Sequence, residues 1–514
     1  MKGSVRPASS EAGFYFLGFV VLAAMLIFAP IMMGGNRPLP VMLLQIGAIV
    51  LLFLWLSRPR SPQPLSRPLL FLVGALVALP LLQLLPLPEF ASGWLPGRDL
   101  YAASSAAVGG TPDSRTWSLI PYITESAFLT LLVPVAVFLV TTATGEVQLT
   151  RLVNLFVGLA LIQAIIGLAQ FGTGSLTVLP GLEGVGVSAA YGTYANPDHL
   201  AGLLEMALPV ALGLLVASVH AGGPATAHAR RQVPLRQRIS RMLASGMRFN
   251  RVAMHGAAAL AILMGLIFSH SRTGVALAML GILVCALVFS RWAGGQRSSR
   301  LVAAFAIIAV ALALEIGLTS VFSRFTTKGV TDDLRWSIFA GTIQGIREFF
   351  PFGSGFGTFP AIFRRFQPGD VPEFVNHAHN DYLEWLFEGG LPMAIVMLGF
   401  LLLYLLRWPK VWPRGDHCAQ YDYMRMSAGI GLLMLGLHGA LDFNLHIPAN
   451  AVYFAFLAGV FFHPKPVGKS AHSVHAPAPT RTPAPVFMPG PLAHGPQTPE
   501  PAPGAEVRNP FSDP

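Results

Sequence analysis

Apolar stretches of about twenty residues recur along this chain, separated by shorter polar connections. A helix needs about 20 mainly apolar residues to cross the hydrocarbon core of a bilayer. The pattern therefore predicts an all-α, polytopic membrane protein with both termini on the same side. The twelve predicted spans are 13–33, 39–57, 68–86, 122–142, 149–170, 199–219, 252–270, 273–290, 301–320, 391–408, 426–441 and 448–463.

The composition agrees with a chain that lies mostly in a membrane. Of its 514 residues, 53% are hydrophobic and 11% are charged, and the mean hydropathy is +0.59. Soluble proteins carry about 25% charged residues, so this chain has too few to cover a water-facing surface. Its two cysteines, Cys285 and Cys418, have no plausible partner or metal spacing, so neither a disulfide nor a zinc site is expected.

The basic residues are distributed as in a membrane protein rather than a nucleic-acid-binding protein. The net charge is +10, but lysine and arginine gather in short clusters between apolar stretches. Apart from one long loop and the C-terminal tail, twenty lie on one side of the predicted topology and four on the other. Positive charge accumulates on the cytoplasmic side, so both termini are predicted to be cytoplasmic. The first span lacks a small-residue cleavage pattern and is predicted to be retained.

The chain divides into two regions. Residues 1–463 form the predicted transmembrane domain. Residues 464–514 are rich in proline, interleaved with alanine, histidine and threonine. Such a segment cannot bury enough apolar surface to order itself, which predicts a disordered cytoplasmic tail.

The longest and most charged outer segment is the loop 321–380. Apolar residues at helical spacing between Asp332 and Phe350 predict an amphipathic helix on the membrane surface. A glycine-rich turn follows at 351–359. Backbone N–H groups of such a turn can bind phosphate, but no strand precedes it and no Gly-Lys-Ser/Thr follows. A nucleotide-binding loop is therefore not expected.

The end of this loop carries its candidate chemistry, His377-Ala-His379-Asn380-Asp-Tyr382. The residues up to Phe387 predict a short helix that leads into the span near Leu391. Three interpretations of the histidines are open. His379 is a general base or acid, since imidazole titrates near neutral pH; or Asn380 caps the helix and His379 merely packs; or the His-x-His pair binds metal, although no carboxylate stands at ligand spacing.

Two arginines lie on the same predicted side. Arg272, in Ser269-His-Ser271-Arg272-Thr-Gly274, lies in a very short hairpin between two spans. Arg335 opens the loop helix, where the helix dipole disfavours a cation. Arg272 could simply snorkel to the interface, and Arg335 could pair with Asp332 or Asp333. Together with His379 they could also bind a lipid-linked phosphate or pyrophosphate, which arginine contacts in a bidentate manner.

Five motifs in order resemble the O-antigen ligase and Wzy-type polymerase superfamily, over about residues 193–458. They are Tyr191-Gly-Thr-Tyr-Ala-Asn196-Pro-Asp-His199-Leu-Ala-Gly, Ser271-Arg272-Thr-Gly274, Arg335-Trp336 before Pro351-Phe-Gly-Ser-Gly-Phe-Gly-Thr-Phe359, His377-Ala-His379-Asn380-Asp-Tyr382-Leu, and Asp442-Phe-Asn-Leu-His446-Ile-Pro-Ala-Asn450.

The resemblance implies a GT-C-like, metal-independent, inverting glycosyltransferase of the bacterial inner membrane. It implies an undecaprenyl-pyrophosphate-linked glycan as donor, lipid A core or another lipid-linked glycan as acceptor, a periplasmic active site and no cofactor. In this interpretation Arg272 and Arg335 hold the pyrophosphate, and His379 activates the acceptor hydroxyl. The remaining polar residues of the motifs are candidate substrate-binding residues: Asn196, His199, Asn380, Tyr382, Asp442 and His446.

Two alternatives concern the reaction. Ligases follow the histidine with Gly-x-x-(Gly/Thr/Tyr), whereas this chain has Gly390-Leu-Pro-Met393, so ligase and polymerase both remain open. A transporter or flippase is the rival class, since twelve spans are common there. Transporters place ionisable groups near the midplane, whereas the acids of this bundle are few, chiefly Glu205 and Glu315.

Overall fold

The computed structural model describes residues 9–58, 65–88, 93–107, 109, 116–176, 186–220, 235–290, 307, 330–413 and 418–464. Within these ranges the structure is helical, with two isolated β-bridges. Apart from Ile307, the predicted span 301–320 lies outside the described residues, as do the beginning of the loop and the predicted tail beyond Pro464.

The α-helices of the described ranges are numbered here in chain order. They are α1 (Ser9–Phe28), α2 (Ile31–Gly34), α3 (Pro38–Ser57), α4 (Arg67–Leu84), α5 (Asp99–Ala107), α6 (Pro121–Ala143), α7 (Glu146–Thr173), α8 (Pro197–His220), α9 (Leu235–Phe268), α10 (Arg272–Ser290), α11 (Val330–Phe349), α12 (Phe359–Ile362), α13 (Asp381–Val411), α14 (Gln420–His438) and α15 (Pro448–Phe462). Two 3₁₀ turns occupy Phe363–Arg365 and Asn444–His446.

The chain is a polytopic membrane protein. Eight described helices are long and apolar enough to span a bilayer, and two shorter apolar segments, Tyr15–Phe28 and Pro448–Phe462, accompany them. Eleven of the twelve predicted spans coincide with a helix or part of one; the twelfth is 301–320. The helix α14 is not among the eight, and its first two turns carry Asp422 and Arg425.

Helix α8 lies at the centre of the bundle, and its residues 199–217 are all buried. It packs against α7, α9, α10 and α14. Small residues allow the close approach: a side chain at Gly213 would meet Ser427 Oγ at 2.7 Å, and one at Gly431 would meet the Met206 carbonyl at 2.6 Å. Such close packing is how helices associate in lipid, where the hydrophobic effect does not drive them together.

The loop residues pack around an aromatic cluster at one end of the bundle. The Phe387 ring on α13 contacts Phe349 at 5.6 Å and Phe359 at 5.1 Å between centroids. Arg98 donates to the Trp117 and Gly353 carbonyl oxygens at 2.8 and 2.7 Å, which attaches the connection 93–119 to the glycine-rich turn. The described part of the loop therefore forms a packed cap at this end of the bundle.

Helix α11 confirms that this segment is helical, and its predicted position on the membrane surface stays a prediction. Ile338, Phe339 and Phe349 are buried against the cap. Trp336 and Ile343, seven residues apart on one stripe, are exposed. The helix therefore has apolar residues on two faces, one of them available to lipid.

Helix α13 is broken at Gly390, as the predicted short helix before Leu391 requires. Gly390 has φ +57° and ψ −147°. A side chain there would also collide with the Pro351 carbonyl oxygen. Only glycine fits both the backbone geometry and the space, so the polar first turns of α13 are set apart from the membrane-spanning part.

Candidate functional site

The start of α13 is determined by Asn380. Its Oδ1 accepts hydrogen bonds from the backbone N–H groups of Tyr382 and Leu383, both at 3.0 Å, which is a helix N-cap. Its Nδ2 donates to the Ala440 carbonyl at 2.8 Å. The capping role considered for Asn380 from the sequence is therefore observed, and this residue fastens the loop to the connection 439–447.

The first group of polar side chains is the Asp442 cluster, formed by His379, Asp442 and His199. His379 Nδ1 lies 3.3 Å from Asp442 Oδ1. His199 Nε2 lies 4.0 Å from Asp442 Oδ2, too far for a direct hydrogen bond, and both atoms are buried without a partner. All three residues come from different motifs, so the structure brings together what the sequence separates by up to 243 positions.

The Asp442 carboxylate is ionised. Burial alone would raise its pKa, but the hydrogen bond from His379 and the neighbouring His199 and His438 outweigh burial and hold the pKa at about 2. The Asp442 side chain is almost fully buried, whereas that of His379 is 28% exposed. The imidazole is therefore held on one side by a fixed negative charge and open on the other.

His379 also has an unusual backbone. Its φ is +53°, in the left-handed region that residues other than glycine rarely adopt. Backbone strain of this kind gathers at functional sites, where the surrounding structure enforces it. Here the conformation aims the imidazole at Asp442 while Asn380 caps the helix.

A second left-handed histidine lies next to Arg272. His270 has φ +58°, and Ser271 Oγ accepts from the Gly274 N–H at 3.2 Å, capping α10. A side chain at Gly274 would meet Ala201 Cβ at 2.7 Å. The first turn of α10, which carries the exposed Arg272, thus packs against the first turn of α8, which carries His199.

Arg335 contacts the backbone next to the Asp442 cluster. Its Nη1 donates to the Leu441 carbonyl oxygen at 3.3 Å, one residue before Asp442. Of the proposed trio, the structure thus brings His379 and Arg335 to the connection 439–447. Arg272 opens α10, whose first turn contacts α8 at Ala201, and its part in a common site with His379 and Arg335 stays a prediction.

The second group is the Glu384 cluster, formed by His377, Asp381, Glu384 and His446. His377 Nδ1 lies 2.8 Å from Glu384 Oε1. His446 places Nδ1 2.6 Å from Asp381 Oδ1 and Nε2 3.3 Å from Glu384 Oε1. Burial would lower the pKa of His446, but the carboxylates of Glu384 and Asp381 outweigh it and raise the pKa to about 10.

The expectation that no carboxylate stands at ligand spacing from the loop histidines is wrong. Glu384 contacts His377, and His377, Glu384 and His446 each offer a ligand atom, all within 4.8 Å of one another. Sequence reasoning missed Asp381 and Glu384 because His446 reaches them across more than sixty positions. One signal was available, since Asp381, Glu384 and Glu388 recur at helical spacing and share a face.

The two clusters share Phe443. Its ring stacks on His377 at 4.3 Å and meets His379 edge-on at 5.0 Å, measured between centroids. It also contacts the His199 ring at 4.8 Å. A single buried aromatic ring thus separates two groups of histidines and carboxylates, and Phe443 was not singled out from the sequence.

Other predicted residues have structural contacts. Asn196 Oδ1 accepts from the Asp198 N–H at 2.9 Å at the start of α8. The Tyr382 hydroxyl donates to the Gly436 carbonyl. Glu205, one of the few acids of the bundle, lies 3.0 Å from His438 Nδ1 and is fully buried.

A cavity of about 1150 Å³ adjoins the Glu384 cluster. Its walls are mostly apolar side chains of α3, α4, α6, α13, α14 and α15. Tyr382, Glu388 and His446 contribute polar groups to its lining. The cavity suits a long apolar chain whose polar end lies near the loop.

Part of the chain matches a known family. Residues 257–398, a little over a quarter of the chain, match the family model described as O-antigen ligase, Wzy_C. No curated protein matches the chain. The matched range includes Arg272, Arg335, His379 and Glu384, whereas Asp442 and His446 lie beyond it. The resemblance predicted from the motifs is confirmed over residues 257–398 of this polytopic membrane protein, which match the O-antigen ligase family model.

Proposed function

We propose that the protein is a glycosyltransferase of the bacterial inner membrane, acting on lipid-linked glycans. It moves an undecaprenyl-pyrophosphate-linked glycan to an acceptor hydroxyl on the periplasmic face. The observation that carries this proposal is the contact between His379 and Asp442. An imidazole held at Nδ1 by a buried, ionised carboxylate keeps Nε2 available to accept a proton from a hydroxyl.

The reaction is a single displacement without a metal ion at the reacting atoms. His379 Nε2 removes the acceptor proton, and the acceptor oxygen forms a bond to the anomeric carbon. The bond from that carbon to the phosphate oxygen breaks, and the electron pair leaves with the lipid pyrophosphate. Because attack comes from the face opposite the leaving group, the anomeric configuration inverts.

Arg335 and Arg272 stabilise the departing pyrophosphate in this proposal. Charge that develops in the transition state is stabilised by fixed donors, each contributing about 3 kcal/mol when well placed. The position of Arg335 beside Leu441 and the position of Arg272 beside the first turn of α8 support this role. The elements around the transferred sugar are then held in place by three further residues, His199, Asn196 and Asn380.

The apolar cavity supports a lipid-linked donor. A polyprenyl chain seated between α4, α6 and α13 would bring its pyrophosphate to the loop end, where Tyr382 and His446 line the cavity. This placement explains why the polar residues lie at a membrane border rather than in a water-filled channel. Activated pyrophosphate also needs no ATP, in keeping with the glycine-rich turn acting as a packed element of the cap.

The proposed topology has twelve spans in a GT-C-like arrangement, with both termini cytoplasmic and residues 464–514 as a dispensable tail. The eleven helices that coincide with predicted spans support this count. The acceptor is lipid A core if the protein is a ligase, or another lipid-linked glycan if it is a polymerase.

Deletion of the gene followed by gel analysis of surface glycan tests the proposal. Unattached, lipid-linked long chains are expected for a ligase and single repeats for a polymerase. Complementation with His379→Ala should fail although the variant inserts into the membrane, whereas Arg347→Ala, an exposed position on α11, should complement. A normal glycan pattern in the deletion strain contradicts the proposal and favours the transporter class.

A further inference from the structure

Helix α13 begins with three buried carboxylates. Asp381, Glu384 and Glu388 are 0, 1 and 2% exposed. Among the described residues, none of the three pairs with a lysine or arginine. Asp381 and Glu384 contact His377 and His446, and Glu388 Oε1 accepts a hydrogen bond from the Phe359 N–H. An ionised carboxylate is costly to bury without a counter-charge. A metal ion at this end of α13 would supply such a counter-charge.

The geometry of the Glu384 cluster fits a metal ion. Bonds of about 2.1 Å in a tetrahedral site place ligand atoms about 3.4 Å apart. Glu384 Oε1 lies 2.8 Å from His377 Nδ1 and 3.3 Å from His446 Nε2. All three ligand atoms lie within 4.8 Å of one another. Small side-chain shifts would place them around one ion.

The outer contacts of these ligands are also those of a metal site. The free nitrogen of a metal-bound histidine commonly donates to a carboxylate, which fixes the ring. His446 Nδ1 is placed to do so, 2.6 Å from the fully buried Asp381. The second oxygen of Glu384 accepts from the Ala378 N–H at 2.8 Å. Two of the three ligands, His446 and Glu384, are thus oriented by partners outside the ligand set.

We propose that His377, Glu384 and His446 bind one divalent metal ion of the zinc class. Two imidazoles and one carboxylate favour zinc over magnesium or calcium, which prefer oxygen ligands. The three ligands leave a fourth position, and the half-buried histidines leave it accessible to water. The ion joins the loop, the start of α13 and the connection 439–447, and it lies outside the transfer step described above.

Metal analysis of the purified full-length protein in detergent tests this site. After removal of metal with a chelator and return of zinc, about one zinc ion per chain should remain bound. His377→Ala should abolish this binding, and His379→Ala, two residues away, should retain it. Cobalt substitution should give the strong visible bands of a tetrahedral site, lost in His377→Ala only.

Zinc should also raise the thermal unfolding midpoint by roughly 5 °C at about one hundred times its Kd. Absence of bound zinc, or equal binding by His377→Ala and the unaltered protein, overturns the site and leaves protonated imidazole as the counter-charge. Metal binding and glycan transfer are separable, because His379→Ala should bind zinc but transfer nothing.

Discussion

His377 and His379 are separated by one residue and contact the same phenylalanine, yet their surroundings differ. His379 faces a single ionised carboxylate, Asp442, and is 28% exposed. His377 faces Glu384, whose Oε1 is shared with His446. His379 therefore has one carboxylate partner, whereas His377 belongs to a group in which one carboxylate oxygen contacts two imidazoles. The difference shows that the partners of an imidazole decide its chemistry.

The largest difference between the two histidines is expected when each is replaced by alanine. His379→Ala should lower the transfer rate by about 10²- to 10⁴-fold, because general base catalysis contributes this much. His377→Ala should retain most activity when equal amounts of folded protein are compared, because the proposed ion lies outside the transfer step. The initial rate of transfer from a lipid-pyrophosphate donor in membranes measures both. Equal losses in the two variants would remove the distinction between the clusters.

Asp442 should matter through His379 rather than through substrate binding. Asp442→Asn keeps the size of the side chain but removes its charge, so kcat should fall by about 10²-fold with little change in KM. Steady-state kinetics over a range of donor concentrations separates the two parameters. A rise in KM alone would instead place Asp442 in direct contact with the donor.

Glu384 should matter for stability. Glu384→Gln removes the buried charge that His377 and His446 share, and breaking a buried pair costs about 3–5 kcal/mol. The thermal unfolding midpoint in detergent should therefore fall clearly. Glu373→Gln, an exposed glutamate of the same loop, should leave the midpoint unchanged. An unchanged midpoint in Glu384→Gln would mean that this cluster is not a structural connection.

Arg335→Lys tests whether bidentate binding of phosphate by Arg335 contributes to the rate of transfer. Arg335→Lys keeps the charge but loses the fork, so transfer should fall by about tenfold. Arg347→Lys on the same helix should have no effect. Normal kinetics in Arg335→Lys would favour a structural role through the Leu441 carbonyl.

The smallest effect concerns pH. The pKa of Asp442 is about 2, below its ordinary value, so its contribution to stability is present above about pH 4 and is lost as the pH falls towards 2. The difference in unfolding midpoint between the unaltered protein and Asp442→Asn should therefore be constant from pH 5 to 8. A difference that shrinks between pH 7 and 5 would contradict an ionised Asp442.

The spans were predictable because membrane insertion depends on local hydropathy. Segments such as 122–142 and 149–170 match α6 and α7 closely. Hydropathy predicts short or partly charged helices less well. Helix α15 is only 15 residues long, and α14 carries charged residues in its first two turns. The break at Gly390 was predictable from the Gly389-Gly390 pair and the change in polarity there.

The site was predictable only in part. His379, Arg335 and Asn380 were identified from a short polar stretch in an apolar chain, and Asn380 proved to be a cap. Glu384, Asp381 and Phe443 were not, because their importance arises from contacts with residues far along the chain. His446 was assigned to substrate binding, whereas the structure places it against two carboxylates of α13.

The sequence by itself determined the class of the protein and the polar residues at the loop end, since helix length, charge bias and composition are local properties. Tertiary structure alone decided which carboxylate each histidine contacts. Pairing of His379 with Asp442 and of His446 with Asp381 depends on how α13 and the connection 439–447 pack around Phe443. No spacing along the chain encodes that packing, because contacts between distant segments are set by the bundle as a whole.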